Sequence, residues 1–193
     1  MAAKPRILAF AGSTREHSFN KKLVRIGVAG AQAAGAEVTL IDLRDFPMPL
    51  YDGDLEAREG VPANARKLKT LMKSHGGFLI SSPEYNSSVP GVLKNAIDWA
   101  SREEPGETPL VCFEGKVVAL MSASPGWLGG TRNLAVLRLM LGNIGSVVLP
   151  DPVSVPRAAE AFNPDGTLKD ARRQAAAERL GATLANMLVK LGP

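Results

Sequence analysis

Arg6-Ile7-Leu8-Ala9-Phe10-Ala11, running into Gly12-Ser13-Thr14-Arg15-Glu16-His17-Ser18-Phe19-Asn20, is the stretch that decides the fold. Its first half is an apolar run of strand length. Its second half is polar and rich in hydroxyls. From Ser18 to Ala34, apolar residues recur at helical spacing at Leu23, Ile26, Val28 and Ala31, and Gly35 supplies the stop. A strand without polar alternation is one covered on both faces, and the helix that follows makes it the opening of a parallel βαβ unit.

The same alternation continues along the chain. Glu37 to Leu43 reads as a second strand, and Asp45 to Gly60 as a loop punctuated by Pro47, Pro49 and Gly53. Pro62 opens a helix to about Ser74, as a proline can in a first helical turn. Gly77 to Ser81 is a third strand, Pro90 to about Arg102 a helix, and Glu103 to Glu114 a polar connection. Lys116 to Met121 is a fourth strand, followed by a loop from Ser122 and a helix to about Leu141. Ser146 to Leu149 is a fifth strand, and after a proline-marked loop Leu168 to Leu191 is the closing helix. Five strands alternating with five helices predict an α/β fold with a parallel sheet between two helical layers. No repeat or linker divides residues 1–193, so one domain is expected.

Composition narrows the function classes. Hydrophobic residues make up 45% of the chain, a globular value. No run approaches the roughly 20 apolar residues that span a bilayer, and the N-terminus lacks the pattern of a signal peptide, so the expected location is cytoplasmic, away from membranes. The net charge of +4 comes from basic residues scattered among acids, and aromatic content is only 5%, which speaks against nucleic acid as a partner. Cys112 is the only cysteine and lies in a partly apolar context, where a thiol is inert. His17 and His75 are too few and too far apart for a metal centre.

In a doubly wound sheet, ligands bind beyond the carboxyl ends of the strands, where strand order reverses. The loops after strands one, three and four are therefore the informative ones. The first, Gly12 to Asn20, leads into a helix N-terminus with unpaired N–H groups and a partial positive charge. With the hydroxyls of Ser13, Thr14 and Ser18, the Asn20 amide and the Arg15 guanidinium, it suits a phosphate monoester entering end-on. It is neither the glycine fingerprint of dinucleotide folds nor a Walker A loop; a plain Ser-capped helix start would look similar. The second, Ser81 to Gly91, is stiffened by Pro83 and Pro90 and presents Pro-Glu-Tyr-Asn, able to offer a flat ring an apolar wall and fixed amides. The third, Ser122 to Gly130, has glycines that let backbone approach a planar ligand. In it Trp127 lines a substrate pocket, fills a subunit interface or plugs the core.

Three segments resemble the NAD(P)H-dependent FMN reductase family, which includes bacterial quinone, chromate and azo-dye reductases. They are Gly-Ser-Thr-Arg-x-x-Ser-x-Asn at 12–20, Ser-Pro-Glu-Tyr-Asn-x-Ser-x-Pro-Gly-x-Leu-Lys-Asn-Ala-Ile-Asp-Trp at 82–99, and Ser-Pro-Gly-x-x-Gly-Gly at 124–130. The resemblance implies a flavodoxin-like fold with strand order 2-1-3-4-5. It implies FMN phosphate contacts from Ser13, Arg15, Ser18 and Asn20, with Phe19 among the cofactor-binding residues. It further implies ring contacts from Pro83, Glu84, Tyr85 and Asn86, Ser122 and Gly126 close by, and a homodimer or homotetramer with the flavin pocket near a subunit interface. Tyr85 and Trp127 are the expected substrate-pocket residues. Lys94 and Asp98, four apart, read as an intrahelical pair, and Trp99 as core or interface. Residues 103–114 match least.

The expected reaction is ping-pong: NADPH or NADH gives up a hydride and leaves, and a small acceptor such as a quinone, a flavin, chromate or an azo compound takes the electrons. The cofactor carries that chemistry, so no protein nucleophile is expected. A flavodoxin-like electron carrier without turnover is the alternative. The positive net charge and the Gly-Trp-Leu-Gly-Gly loop weigh against it.

Overall fold

In the computed structural model, which describes residues 4–192, the first apolar run is strand β1 (Arg6–Ala11), with every residue after Arg6 buried. Helix α1 (Phe19–Ala33) follows, then β2 (Glu37–Asp42) and a single 3₁₀ turn at Leu43–Asp45. Helices α2 (Gly53–Glu59) and α3 (Ala63–Lys73) lead to β3 (Gly77–Ser81). Then come α4 (Gly91–Ala100), β4 (Val117–Ala123), α5 (Thr131–Asn143), β5 (Val147–Val148), β6 (Val153–Val155), α6 (Ala158–Ala161) and α7 (Ala171–Leu191). These strands pair in parallel among the described residues, and the order β2-β1-β3-β4-β5 is the flavodoxin-like one, with β6 also paired to β4.

Period-two alternation splits the core into two layers. Ile7 and Ala9 of β1, with Val117, Ala119 and Met121 of β4, face α1 and α7. Leu8, Phe10, Val118 and Leu120 face α3, α4 and α5. On the first side α1 and α7 approach closely because their contact is made by glycine: a Cβ on Gly181 would overlap the Gly27 carbonyl, and one on Gly30 would overlap that of Glu178. Trp99 is fully buried, donates its Nε1–H to the Pro49 carbonyl at 2.8 Å and meets Tyr51 edge-on. The Lys94–Asp98 pair forms within α4 at 2.7 Å.

Several boundaries differ from those the sequence predicts. The 45–60 segment contains α2, started by the Asp52 carboxylate accepting from the Asp54 N–H; none of its residues is buried, so no apolar stripe announces it. Strand β4 continues through Ser122 and Ala123 rather than ending at Met121, because β6 supplies a partner there (Ser122 beside Ser154). The predicted fifth strand, Ser146 to Leu149, shortens to β5 (Val147–Val148), and a strand that was not predicted, β6, stands in the proline-marked loop after it. Pro150 and Pro152 separate the two because proline has no N–H for the ladder, and Arg138 donates to the carbonyls of Val148, Leu149 and Pro150. The closing helix starts at Ala171, not Leu168, since Asp170 caps it by accepting from the N–H groups of Arg172 and Arg173. With α2 and α6 there are more helices than the five expected.

The weakly matched 103–114 segment is held to α3 by an ion cluster. The ammonium of Lys69, whose side chain is 1% exposed, contacts Glu107 at 2.5 Å and Glu104 at 3.3 Å, and Lys73 meets Glu107 at 2.6 Å.

Candidate functional site

The sheet reverses order between β1 and β3, so the loops leaving their carboxyl ends diverge and open a cleft. Ser18 is the N-cap of α1 in extended backbone, and its Oγ accepts from the Asn20 N–H at 3.2 Å. The Ser13 Oγ accepts from the Arg15 N–H at 3.3 Å, leaving its own proton free to donate. Among the described residues, the N–H groups of Ser13, Thr14 and Phe19 have no protein acceptor, and Arg15 has no ion-pair partner. Arg44 braces this loop from the β2 side by donating to the Thr14 carbonyl.

Asn20 is buried and has a heavy share in the site's framework. Its Nδ2 donates to the Ala123 carbonyl at 2.8 Å, and its Oδ1 accepts from the Ala123 N–H at 2.9 Å and from Ser81 Oγ at 2.8 Å. One side chain on α1 thus ties together the carboxyl ends of β3 and β4.

The Pro83–Ser88 loop ends in a tight turn. Tyr85 and Ser88 exchange backbone hydrogen bonds, and Asn86 and Ser87 take φ of 50° and 64°. These are the left-handed values of a two-residue hairpin turn, where asparagine costs little. The turn leaves Tyr85 47% exposed. Glu84 points the other way, into the start of α5. Its carboxylate accepts from Arg132 Nε and Nη2 at 2.9 and 2.6 Å and from the Asn133 N–H at 3.2 Å, where a helix N-terminus favours negative charge. Asn133, fully buried, adds a bond from Nδ2 to the Ser82 carbonyl at 3.0 Å.

The cleft brings together Ser13, Arg15, Ser18, Phe19, Asn20, Pro83, Glu84 and Tyr85, the residues expected on its two sides. Ala123, Ser124 and Pro125 complete its lining. Its cavity volume is about 50 Å³. Four expected residues do not line it. Asn86 is at the exposed tip of the turn, and Gly126 lies on the rim, its N–H donating to Ser124 Oγ at 3.3 Å. Ser122 is fully buried in β4 with its Oγ unpartnered, facing Gly130. Trp127 is 78% exposed, which removes the core-plug option, and lines a neighbouring cavity instead. The Arg132–Glu84 pair and Asn133 were missed from the sequence. Asn133 did leave a signal, being a polar residue in register with Leu137 and Leu141 on the buried stripe of α5.

The donor set fits a phosphate monoester at the first loop: free N–H groups at a helix start, an available hydroxyl and an uncommitted guanidinium. Pro83, Tyr85 and Pro125 flank the open side of the cleft. Cys112 is buried away from the cleft, and burial pushes its thiol up to about 11. No helix among the described residues is long and apolar enough to cross a membrane, and none of their His, Cys, Asp and Glu side chains group for a metal ion.

A family model described as NADPH-dependent FMN reductase matches residues 5–160. A quinone reductase of Escherichia coli is 38% identical over 152 residues, covering 79% of this chain and 77% of its own. An NAD(P)H-dependent FMN reductase of Pseudomonas aeruginosa is 36% identical over 166 residues, covering 86% and 85%. In structure, the flavoenzyme NAD(P)H:(acceptor) oxidoreductase of Paracoccus denitrificans aligns with a TM-score of 0.80 at 29% identity, over 99% of this chain and 100% of its own. An archaeal flavodoxin, at a TM-score of 0.64 and 13% identity over 94% and 97% of the two chains, shares the fold. The match extends from β1 to α6 and contains every loop of the cleft, and the chain belongs to the NADPH-dependent FMN reductase family.

Proposed function

We propose that this chain is an FMN-dependent reductase that takes two electrons from NADPH or NADH and passes them to a small flat acceptor, a quinone in the first instance. The observation that carries the reading is the cleft itself. An anion recess with unpaired N–H donors lies beside an open, apolar-walled ledge, at the point where the sheet reverses order. When bound, FMN supplies the hydride and electron chemistry.

The chain's own residues bind and orient. Ser13, Arg15 and the α1 N-terminus, shaped by the Ser18 cap, hold the phosphate. Asn20 positions that N-terminus against β3 and β4 through its buried amide. Pro83, the Tyr85 ring and the backbone of Glu84 and Asn86 face the ring system, with the Glu84 carboxylate fastening their loop to α5. Tyr85 stays exposed to meet donor and acceptor in turn. We read the protein as a homodimer or homotetramer; the exposed apolar residues Val136 and Leu139 on α5 are consistent with a second copy of the chain packing there. We place it in the cytoplasm as one domain, with small molecules rather than nucleic acid or membrane as partners.

Arg15→Ala tests the assignment, alone and with Ser18→Ala. Removing a charge-assisted hydrogen bond weakens FMN binding by about ten- to a hundredfold, measured by flavin fluorescence quenching. Unchanged affinity in both variants overturns the phosphate site.

A further inference from the structure

We propose that the hollow at the amino ends of β1, β3 and β4, at the opposite end of the sheet from the flavin cleft, binds an amphipathic anion: one acidic headgroup on an apolar body, such as a medium-chain carboxylate. This site goes beyond the function proposed above and does not depend on it.

The strands place it. Ile7, Gly77 and Val117 are partners in register, so Arg6, Gly76 and Lys116 stand side by side at the strand starts. The backbone there is paired within the sheet, Gly76 donating to the Arg6 carbonyl at 3.0 Å and Val117 to that of Gly76 at 3.2 Å. The end of α7 closes one side through Leu188, Val189 and Gly192. Leu188 rests on the glycines: a Cβ on Gly77 would come within 3.1 Å of its Cδ1, and one on Gly76 within 3.3 Å of its Cδ2. Gly76 has no positive φ, so what its missing side chain provides is room. The resulting cavity is about 440 Å³, within the range of small-molecule sites.

Its lining is apolar and basic. Pro5, Leu188 and Val189 meet four cations, Lys4, Arg6, Lys73 and Lys116, and no acidic side chain among the described residues lines the cavity. Arg6 and Lys73 have partners outside it, Glu37 at 3.7 Å and Glu107 at 2.6 Å. Lys4 and Lys116 have no ion-pair partner among the described residues. Lys116 is half-buried and fixed: its Nζ donates to the His75 carbonyl at 2.6 Å and to that of Lys73 at 3.3 Å, leaving one of its three hydrogens uncommitted. The buried His75 ring adds no acceptor for it, being engaged with the Leu71 carbonyl and Thr39 Oγ1. The carbonyl end of α7 offsets about half a charge, less than the two unpaired ammonium groups carry. Surface lysines lay their stems on apolar surface and reach for water; Lys116 is instead drawn in without a carboxylate to meet it. An acid group against Lys116 and Lys4, with its hydrocarbon against Leu188 and Val189, answers both halves of the lining. Strand β3, five residues at about 3.3 Å each, separates this hollow from the cleft by about 16 Å, so the ligand and FMN do not compete.

The test titrates octanoate, octylamine and acetate calorimetrically into the purified protein, with and without FMN, and follows thermal melts in parallel. Octanoate is expected to occupy one site and to bind at least about a hundredfold more tightly than acetate, since each buried methylene adds roughly fourfold. Octylamine should not bind. At a hundred times its Kd, octanoate should raise the melting temperature by about 5–10 °C. Lys116→Met removes the fixed ammonium, and Val189→Glu sets an acid at an exposed position on the rim without removing any cation. Each should weaken octanoate about tenfold or more and leave FMN affinity at its wild-type value. If Lys116→Met does not fold, Val189→Glu carries the test. Octylamine or acetate binding as tightly as octanoate, octanoate binding at many sites with a falling melting temperature, or wild-type octanoate affinity in the folded variants overturns the site. Flavin retention is read in the same samples, so its failure counts against the proposed function and leaves this site standing.

Discussion

Replacing Asn20 by alanine separates two roles that one residue could play in the cleft. The family motif places Asn20 among phosphate contacts, whereas its side-chain amide is spent on three protein bonds, to both backbone groups of Ala123 and to Ser81 Oγ. Each such bond contributes about 1 kcal/mol net, so Asn20→Ala loses about 3 kcal/mol. Asn20 is only 2% exposed, so water has little access to re-pair the groups left behind, and the loss leans above that figure. For a chain of this length each kcal/mol moves the melting temperature about 2–4 °C, giving a fall of about 6–12 °C in flavin-free protein. Asn20→Asp sharpens the comparison. Its carboxylate still accepts from Ser81 and the Ala123 N–H, but it faces the Ala123 carbonyl without a proton and adds negative charge at the helix start. The aspartate variant should therefore lose more FMN affinity than the alanine variant. Thermal melts followed by circular dichroism, with FMN titrations of each variant, give both numbers. Flavin-free Asn20→Ala melting within about 1 °C of wild type, with FMN binding down a hundredfold, refutes the framework role and restores the contact role.

Other outcomes follow from single observations. Gly181→Ala forces α7 away from the Gly27 carbonyl and should cost about 1–3 kcal/mol by overpacking, whereas Gly142→Ala in open space on α5 should stabilise by about 0.5–1 kcal/mol; denaturant melts distinguish them. Glu84→Gln breaks the charged link to Arg132 and loosens the Pro83–Ser88 loop, so FMN should bind more weakly, with the Ser13 side of the cleft unaltered; inorganic phosphate affinity checks the latter by staying constant. His75 is buried, its Nδ1–H donating to the Leu71 carbonyl and its Nε2 accepting from Thr39 Oγ1, and burial pulls its pKa below the usual 6.5. The unfolded chain therefore binds the proton more readily, so this stability is complete above pH 6.5 and is lost as pH falls toward the folded value. His75→Gln should flatten that part of the stability profile, read from denaturant midpoints across pH.

The strands and the cleft were legible because their signals are local. Arg6–Ala11 and Gly77–Ser81 are bounded apolar runs, and both appear at those residues. The hydroxyl-rich loop at 12–20 and the Pro-Glu-Tyr-Asn loop meet across the sheet as parallel order requires. What stayed hidden depends on partners distant in sequence. Nothing near Ser122 shows that β6, some thirty residues later, will draw it into a strand. The Glu84 carboxylate looks like a ring contact until α5 brings Arg132 and Asn133 to it. Trp127 stayed undecided between pocket, interface and core because a loop aromatic carries no periodicity, and only the fold sets its exposure at 78%. Helix α2 went unread because it has no fully buried residue: only Leu55 packs, partly buried, against the Trp99 cluster, and the helix is held by its Asp52 cap and by Glu56 pairing with the distant Arg102.

The most direct test of the account is the visible spectrum of the purified protein, loaded with FMN and desalted, then titrated anaerobically with NADPH and afterwards with a benzoquinone. Retained flavin bands that bleach with one equivalent of NADPH and return with one equivalent of quinone are the predicted result. Flavin that stays bound but bleaches with neither NADPH nor NADH contradicts the reductase, leaving the cleft as the site of an electron carrier.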